Sequence, residues 1–427
     1  MNSIAHTSTL SHGRALRPAP TLRVPRLSRR TSFWAVAFAF LALTAFATAP
    51  SPLYGLYAQQ EHLAPITLTI VYAVYAVGVV ASLLLAGHVS DIYGRRTVLI
   101  PGLLVAGVAA VVYLVSTSLA GLLVARLLTG VALGASVATA TAYIADLDAD
   151  GDGAPSRRSG IVATIANVGG LAIGPLLAGA LAQYVPGGVT LAFAVLLAAL
   201  VAAVALVARS HESRAPVRPR PRYRPQRLRA PAQARAQFVA ATTGAFLTFA
   251  VGGLLAGLAG TFLAGPLHHP SAVLTGLVIF LNFGAGVLVQ STTTRWPAHR
   301  LIAAGLVPLL AGLVILVASA WTSPASLALF LVGAAVTGLG GGAIIRGSLS
   351  VVIATASAGD RAGALTTYFT AGYVGVSLPV LGAGVALQYV SPRVTLLIFA
   401  AAVGLGILAA APHLLRRPAS GAAGITD

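Results

Sequence analysis

Long apolar runs alternate with short polar segments along most of this chain. A helix needs about 20 apolar residues to cross the hydrocarbon core of a bilayer, and twelve runs approach or exceed that length. They cover residues 33–50, 65–86, 97–115, 119–144, 160–185, 189–208, 238–263, 272–290, 301–321, 327–354, 363–390 and 394–415. The pattern predicts an all-α, polytopic membrane protein with twelve transmembrane helices.

Composition agrees with a membrane protein and narrows the possible functions. Hydrophobic residues make up 57% of the chain and charged residues 8%, against roughly 25% charged residues in ordinary globular domains. Cysteine is absent, which excludes a disulfide framework and a cysteine metal site. The sequence has no Gly-x-x-x-x-Gly-Lys-Ser/Thr motif for nucleotide binding and no convergent catalytic acids or Ser-His pair in the apolar runs. We therefore expect no cofactor, no metal and no enzymatic activity.

Positive charges lie almost entirely on one side of the predicted membrane. All 27 basic residues are arginines, and with the N-terminus in the cytoplasm 24 of them fall in cytoplasmic segments. Only Arg393 falls on the opposite side, and Arg126 and Arg346 lie inside apolar runs. Positive charge accumulates in short cytoplasmic loops, so we predict that both termini are cytoplasmic and that the protein resides in the cell membrane.

The first apolar run also has features of a secretion signal. Arg29-Arg30 precedes it, and it ends near Ala47-Thr48-Ala49. Cleavage there would leave eleven spans and break the charge alternation that the later loops follow. The run is therefore interpreted as the first membrane helix.

An arginine- and proline-rich stretch divides the chain in two. Residues 217–225 read Val-Arg-Pro-Arg-Pro-Arg-Tyr-Arg-Pro; proline blocks a regular helix and like charges repel, which indicates an extended, solvated linker. We expect a disordered basic tail at 1–31, six-helix bundles at 32–208 and 237–415, a linker at 209–236 and a tail at 416–427. The linker arginines are expected to contact anionic lipid headgroups rather than nucleic acid, which such a stretch can also bind.

The two halves repeat one another in sequence. Gln183-Tyr184-Val185 recurs 205 residues later as Gln388-Tyr389-Val390, and Pro175 recurs 204 residues later as Pro379. Near-equal offsets indicate a parallel duplication of six helices. This plan is found in transporters that hold their substrate between the two halves.

A polar run between the second and third apolar runs contains one carboxylate, two guanidiniums and two glycines. These residues are Gly87, Asp91, Gly94, Arg95 and Arg96. Glycine permits close helix approach and a turn with positive φ, and a carboxylate and a guanidinium at a dry helix end attract strongly while packed. The run predicts a tight, charged turn at a bilayer face.

This turn resembles the loop between the second and third helices of the major facilitator superfamily, Gly-x-Leu-x-Asp-Arg-x-Gly-Arg-Lys/Arg. The resemblance implies a twelve-helix transporter of two parallel six-helix repeats. In the family, the residues that match Asp91 and Arg95 belong to a charge cluster that clamps the turn against the other half in one conformational state. Ile92 stands where the family usually has a basic residue, so we expect the charge cluster to contain one charged residue fewer. The matching loop at 290–300 is degenerate, so we expect the cluster to be asymmetric between the two halves.

The fifth apolar run carries Gly170, Gly174, Pro175 and Gly179. Glycines at i and i+4 provide a groove for close helix packing in lipid, and the proline bends the helix. The pattern resembles the antiporter motif of the same superfamily, Gly-x-x-x-Gly-Pro-x-x-Gly-Gly, with Ala178 in place of one glycine. The resemblance implies export, and plain helix packing explains the same residues.

The arginines inside the apolar runs are candidates for the transport site. An arginine in a membrane span is costly if it faces lipid, so it should face a cavity or a partner. Arg126 with Gly130 is similar to the Arg-x-x-x-Gly pattern of the family's fourth helix, which implies a role in substrate or proton coupling. The alternative is that Arg126 extends to the interface from the outer end of its helix. Arg346 is the second candidate and lies nearer the cytoplasmic side.

Other polar side chains complete the candidate site. Tyr72 and Tyr75, three residues apart on one helical face, and Asn167 lie far enough from the helix ends to line a cavity, although tyrosine near helix ends is usually an interfacial anchor. All nine acidic residues fall in loops, tails or helix ends, so no carboxylate lies in mid-membrane. Proton-driven pumps for cationic drugs generally need such a buried acid, and its absence favours neutral or anionic amphiphiles.

These features predict a secondary transporter that exports small neutral or anionic amphiphilic compounds by alternating access, as a monomer. A small-molecule substrate and protons are the expected transported species. Two alternatives stay open: an importer or facilitator of a small metabolite, and a non-transporting membrane receptor or scaffold that reuses the fold. The receptor would tolerate changes in the cavity but depend on the arginine-rich linker.

Overall fold

The computed structural model describes residues 26–87, 89–149, 156–214, 225–231, 234–357 and 359–415. The predicted tails at 1–31 and 416–427 and the arginine–proline stretch at 217–225 lie wholly or mostly outside these residues. Of the predicted acidic loop residues, Asp150 and Asp152 also lie outside them.

Within the described residues, twelve helices are long and apolar enough to cross a membrane. They are α1 (Arg29–Glu61), α2 (Pro65–Ala86), α3 (Arg95–Val115), α4 (Leu119–Asp148), α5 (Arg157–Tyr184), α6 (Gly188–Arg209), α7 (Arg235–Ala264), α8 (Ala272–Thr292), α9 (Ala298–Trp321), α10 (Leu327–Thr355), α11 (Arg361–Ala386) and α12 (Pro392–Leu414). The all-α fold class and the twelve spans are confirmed. The limits of the two bundles stay a prediction; α1–α6 are called the first half and α7–α12 the second half.

α1 extends beyond its predicted end and is interrupted near the middle. Its first helix, Arg29–Thr48, gives way to a 3₁₀ turn at Ser51–Leu53 and a short helix at Tyr54–Glu61. Pro50 and Pro52 lack the N–H that an α-helix requires at these positions, so the chain tightens into a 3₁₀ turn. The interruption brings Tyr54, 3% exposed, into the interior of the bundle.

Serine side chains begin half of the twelve helices. Each accepts a hydrogen bond from the backbone N–H three residues later, which satisfies a donor that has no partner within its helix. These serines are Ser28, Ser118, Ser156, Ser271, Ser326 and Ser391.

The helix ends define two sides of the bundle. The side that carries the 87–94 turn and residues 209–214 and 225–231 is called the linker side, and the opposite side is called the far side. Two helix pairs make the most extensive contacts between the halves, α2 with α11 and α5 with α8, and α7 makes smaller contacts with α1 and α2. On the far side, Gln183 at the end of α5 accepts hydrogen bonds from Ser271 Oγ at 2.6 Å and Val273 N at 3.1 Å.

Contacts between the halves on the linker side are polar. Arg157 Nε of α5 donates to Thr294 Oγ1, after α8, at 2.7 Å. The linker also bridges the halves, because Gln226 N donates to Leu84 O of α2 at 2.8 Å and Arg229 N donates to Thr367 Oγ1 of α11 at 2.9 Å. The interface therefore continues from one side of the bundle to the other.

Candidate functional site

Arg126 is buried in the interior of the first half. It lies near the far-side end of α4 and is 1% exposed. Its Nε and Nη2 both donate to the hydroxyl of Tyr54, and its Nη1 donates to the carbonyl of Ala47 at 2.8 Å. The side chain therefore turns inward and does not extend to the interface, which was the alternative interpretation of its position.

Three tyrosine rings surround the guanidinium. The Arg126 Cζ atom lies 5.1 Å from the ring centroid of Tyr54, 5.8 Å from that of Tyr72 and 5.7 Å from that of Tyr75. A cation over an aromatic face is attracted by the ring quadrupole, more strongly when water is excluded. We call these three residues the tyrosine cage; the structure thus brings Tyr72 and Tyr75 together with Arg126, and their role stays a prediction.

The sequence analysis did not place Tyr54 in the site. The residue follows two prolines, where the first apolar run was expected to end, and only the continuation of α1 carries it to Arg126. A signal was present in the sequence, because Tyr54 and Tyr57 are three residues apart, as Tyr72 and Tyr75 are.

No carboxylate compensates the charge of Arg126 among the described residues. The ion pairs of the described residues all lie elsewhere. The described carboxylates lie at or beyond helix ends, at Glu61, Asp91, Asp146, Asp148, Glu212 and Asp360. A buried charge without an opposite charge is costly, and a guanidinium presents its donors in a planar fork that matches carboxylate and phosphate geometry. Among the described residues, the Arg126 guanidinium therefore keeps an uncompensated positive charge in the interior of the first half.

The glycines of α5 divide between two neighbouring helices. A Cβ atom added at Gly170 would lie 1.9 Å from Thr44 Oγ1, and one added at Gly174 would lie 2.0 Å from the carbonyl oxygen of Ala45, both in α1. One added at Gly179 would lie 2.3 Å from the carbonyl oxygen of Ala272 in α8. The first two contacts lie within the first half, whereas the third joins the halves.

Pro175 takes part in the same contact with α8. A Cβ atom added at Gly276 of α8 would lie 2.4 Å from the carbonyl oxygen of Pro175. Two helices approach this closely only where side chains are absent from the contact. Pro175 and Gly179 of the antiporter-like motif thus form backbone-to-backbone packing between the halves, whereas Gly170 and Gly174 pack within the first half.

In the 87–94 turn, Gly87 lies at the end of α2 and Gly94 precedes α3 at φ 98°. The Arg95 side chain lies 2.9 Å from Asp91 and 3.0 Å from Asp146 at the end of α4. The backbone N–H groups of Arg95 and Arg96 donate to Glu212, after α6, at 3.0 and 3.1 Å.

The charged partners of this turn belong to the first half and to the start of the linker. Asp91 also pairs with Arg214 at 3.2 Å, and the partners of Arg95 come from α4 and from the segment after α6. The expected clamp of the turn onto the second half is not made by these ion pairs in this conformation. Glu212 and Arg214 are members that the sequence analysis missed, although both directly follow the sixth apolar run.

Comparison with known proteins places the chain in a family. The profile of the Major Facilitator Superfamily matches residues 34–325. This chain belongs to the Major Facilitator Superfamily. Among curated protein sequences, none matches it significantly.

Solved structures of this superfamily share the fold at low sequence identity. The human organic anion transporter MFSD10 (TETRAN) is 17% identical, with a TM-score of 0.62 over 92% of this chain and 100% of that chain. A bacterial homolog of the human lysosomal transporter Spinster, in an inward-facing and occupied conformation, is 16% identical, with a TM-score of 0.62 over 91% of this chain and 94% of that chain. At this identity the likeness shows the fold alone. The family match, together with this fold, supports a membrane transporter.

Asn167 lies in an irregular segment of α5. Residues Ile165–Gly169 form a π-helical turn that packs on α1 and α8. Short π segments inside α-helices occur frequently at functional sites. The Asn167 carboxamide makes no hydrogen bond among the described residues, and its role stays a prediction.

Arg346 lies apart from the tyrosine cage. Its Nη1 donates to the carbonyl of Gln290 at 2.6 Å and its Nη2 to that of Thr294 at 3.5 Å, at the linker-side end of α8. The two candidate arginines therefore do not form one site. In this superfamily fold, Arg346 borders the linker-side contact between the halves, where Arg157 also meets Thr294.

Proposed function

We propose that the protein exports small anionic, and secondarily neutral, amphiphilic compounds across the cell membrane by alternating access. The observation that carries this proposal is the buried guanidinium of Arg126, held by tyrosine rings, one hydroxyl and one carbonyl. The hydroxyl and the carbonyl accept hydrogen bonds from the guanidinium but are neutral, so they do not cancel its positive charge. An anion that reaches the guanidinium gains charge-assisted hydrogen bonds, which are roughly twice as strong as neutral ones.

Two features support export. The distribution of arginines gives the orientation of the protein in the membrane, and the glycine–proline pattern of α5 indicates the direction of transport. The predicted cytoplasmic segments hold 24 of the 27 arginines, and those among the described residues, such as Arg95 and Arg209, lie on the linker side, so we assign that side to the cytoplasm. The Gly174–Pro175 and Gly179 pattern resembles the antiporter motif of the superfamily, which goes with export. The two halves would rock about the contacts of α2 with α11 and of α5 with α8, with the transported compound held between them.

The organic anion transporter MFSD10 shares this architecture, and the proposal gives this chain a substrate of the same class. Protons are the candidate coupling ion, and a monomer is the proposed unit. Anionic headgroups are the proposed partners of the linker arginines. The chemical reason for the substrate class is Arg126, because the described carboxylates lie at or beyond helix ends and none is placed in mid-membrane to exchange a proton for a cation.

Transport of three compounds that share one ring tests the proposal. Purified protein is reconstituted in liposomes loaded with 1-naphthalenesulfonate, 1-naphthalenemethanol or 1-naphthylmethylammonium, and the naphthalene fluorescence of the released compound is followed. Inside-out vesicles from expressing cells then establish the direction, since an exporter accumulates its substrate in them. A pH gradient of either sign tests coupling to protons.

We expect the sulfonate to be transported fastest and the ammonium compound to be excluded. Arg126→Gln should slow sulfonate transport by about tenfold or more, since hydrogen bonds to charged groups contribute about 1.5–3 kcal/mol, while Arg126→Lys should retain part of it. Transport of the ammonium compound at a rate that Arg126→Gln leaves unchanged would contradict the proposal. Absence of transport for all three compounds would favour the receptor interpretation.

A further inference from the structure

Two of the three cage tyrosines also touch the second half. A Cβ atom added at Gly257 of α7 would lie 3.4 Å from Cγ and Cδ1 of Tyr72, so this ring lies on the bare backbone of α7. Tyr75 packs edge-on against Tyr373 of α11, with ring centroids 6.3 Å apart. The rings that surround Arg126 therefore form part of the contact between the halves.

Tyr54 connects the guanidinium of Arg126 to Tyr72. Its hydroxyl accepts two hydrogen bonds from Arg126, and its ring meets the Tyr72 ring edge-on, with centroids 6.5 Å apart and planes at 89°. The contacts thus continue from Arg126 through Tyr54 and Tyr72 to Gly257. An anion bound to Arg126 competes with the Tyr54 hydroxyl, because each N–H donor that turns to the anion is withdrawn from the hydroxyl.

We propose that Tyr72 is the positioning residue through which occupancy of Arg126 controls opening of the far side. An anion at Arg126 releases the Tyr54 hydroxyl, the edge-on contact between Tyr54 and Tyr72 is lost, and the Tyr72 ring leaves Gly257. α2 then separates from α7 and α11 on the far side. This inference rests on the proposed function and identifies how anion binding at Arg126 is coupled to opening of the far side.

The position of these contacts agrees with such a role. Tyr72 lies one helical turn beyond Thr69, which is 0% exposed and packs on α11: a Cβ atom added at Gly384 would lie 2.2 Å from Thr69 Oγ1. The same helix, α2, therefore carries a cage residue and a far-side contact. A ligand shifts a conformational equilibrium only through contacts that differ between the two states, and the Tyr72–Gly257 contact is of this kind.

A single introduced thiol measures the opening. The chain contains no cysteine, so Thr69→Cys protein reports one position. In nanodiscs, the rate at which a membrane-impermeant methanethiosulfonate reagent modifies this thiol follows the population in which α2 has left α11. Tyr113→Phe serves as the matched control, because the Tyr113 hydroxyl is buried near the cage and has no hydrogen-bond partner among the described residues.

We expect Tyr54→Phe and Arg126→Gln each to raise the modification rate about tenfold without any ligand, the shift that follows from losing hydrogen bonds to a charged group. Tyr113→Phe should leave the rate unchanged. In Tyr72→Leu or Tyr72→Met protein, where the connection is already broken, Tyr54→Phe should have no further effect. Addition of 1-naphthalenesulfonate should raise the rate only where Tyr72 is present.

Two results would overturn the inference. An equal effect of Tyr54→Phe with and without Tyr72 would show that the signal bypasses this ring. An unchanged rate of thiol modification in both Tyr54→Phe and Arg126→Gln would show that far-side opening does not depend on the contacts of Arg126. Since these measurements need no substrate, they are separate from the transport assay, and Arg126-dependent transport with an unresponsive thiol would reject the inference while keeping the proposed function.

Discussion

Gly179→Ala should shift the balance between far-side-closed and far-side-open protein. A Cβ atom at this position would lie 2.3 Å from the carbonyl oxygen and 2.9 Å from the carbonyl carbon of Ala272. Both atoms belong to the backbone of α8, so no side-chain rotation relieves the clash. One helix must move away from the other.

The expected size of the shift follows from the cost of overpacking. An extra methyl group in a well-packed contact costs about 1–3 kcal/mol. The cost is relieved when α5 and α8 separate on the far side, so the open population should rise about 5- to 150-fold relative to the closed population. The clash does not touch the tyrosine cage, so intrinsic affinity for the substrate should change little.

Two glycines of the same helix provide matched controls. Gly174→Ala would place a Cβ atom 2.0 Å from the carbonyl oxygen of Ala45, a contact inside the first half that persists in both conformations. It should lower the midpoint of thermal unfolding without shifting the equilibrium. Nothing lies within 4 Å of a Cβ atom added at Gly160, so Gly160→Ala should do neither.

Spin labels in the far-side loops measure the populations. Thr117→Cys lies between α3 and α4 and Thr322→Cys between α9 and α10, and both positions are exposed. Double electron–electron resonance in nanodiscs then gives the distribution of distances between the halves. A distribution that Gly179→Ala leaves unchanged would refute the reasoning, as would an equal shift in Gly174→Ala protein.

Three further predictions concern the residues around the interface. Arg95→Met removes a buried guanidinium whose two carboxylate partners are partly exposed, and it should cost about 1.5–3 kcal/mol. Arg214→Gln, whose ion pair is exposed, should cost at most about 1 kcal/mol. Thermal unfolding of both variants checks the ranking. Asn282→Leu removes hydrogen bonds of 3.1 Å to Ala334 O and Thr337 Oγ1 and should weaken the packing of α8 on α10 by about 1–3 kcal/mol. The midpoint of thermal unfolding should fall, and an unchanged midpoint would contradict a stabilising role for these hydrogen bonds. The hydrogen bond from Arg229 lowers the pKa of Asp360, with a smaller contribution from Ser357. This linker contact should therefore be fully present above the usual carboxyl pKa and be lost as the pH falls through the lowered pKa of Asp360. A spin label at exposed Leu228→Cys should become mobile on acidification in the parent protein and be mobile at every pH in Asp360→Asn.

The membrane spans were predictable because each depends on a local property. A run of about 20 apolar residues forms a helix in a bilayer whatever its neighbours are. Arg126, Tyr72 and Tyr75 were predictable for a similar reason, since a charge in a span must find a partner and residues three apart share a helix face. Only the contact between these three residues could not be predicted, because it depends on how the helices pack.

The residues that the sequence analysis missed depend on contacts between distant segments. Glu212 accepts from the backbone of Arg95, 117 residues away in the chain, and nothing near Glu212 in the sequence indicates that partner. The position of Tyr54 depends on the 3₁₀ turn that two prolines impose within α1. Arg126 and Arg346 lie at different depths, because Arg126 is near the far-side end of α4. Arg346 instead lies at the linker-side end of α8.

Equilibrium binding of two of the naphthalene compounds tests the central claim, that Arg126 holds the transported anion. Isothermal titration of the protein and of Arg126→Gln with 1-naphthalenesulfonate and 1-naphthalenemethanol gives a ratio of affinities in which any structural damage common to both compounds cancels. We predict that the substitution weakens sulfonate binding by about tenfold or more and leaves binding of the alcohol nearly unchanged. An equal loss for both compounds, or a loss for neither, would contradict the account.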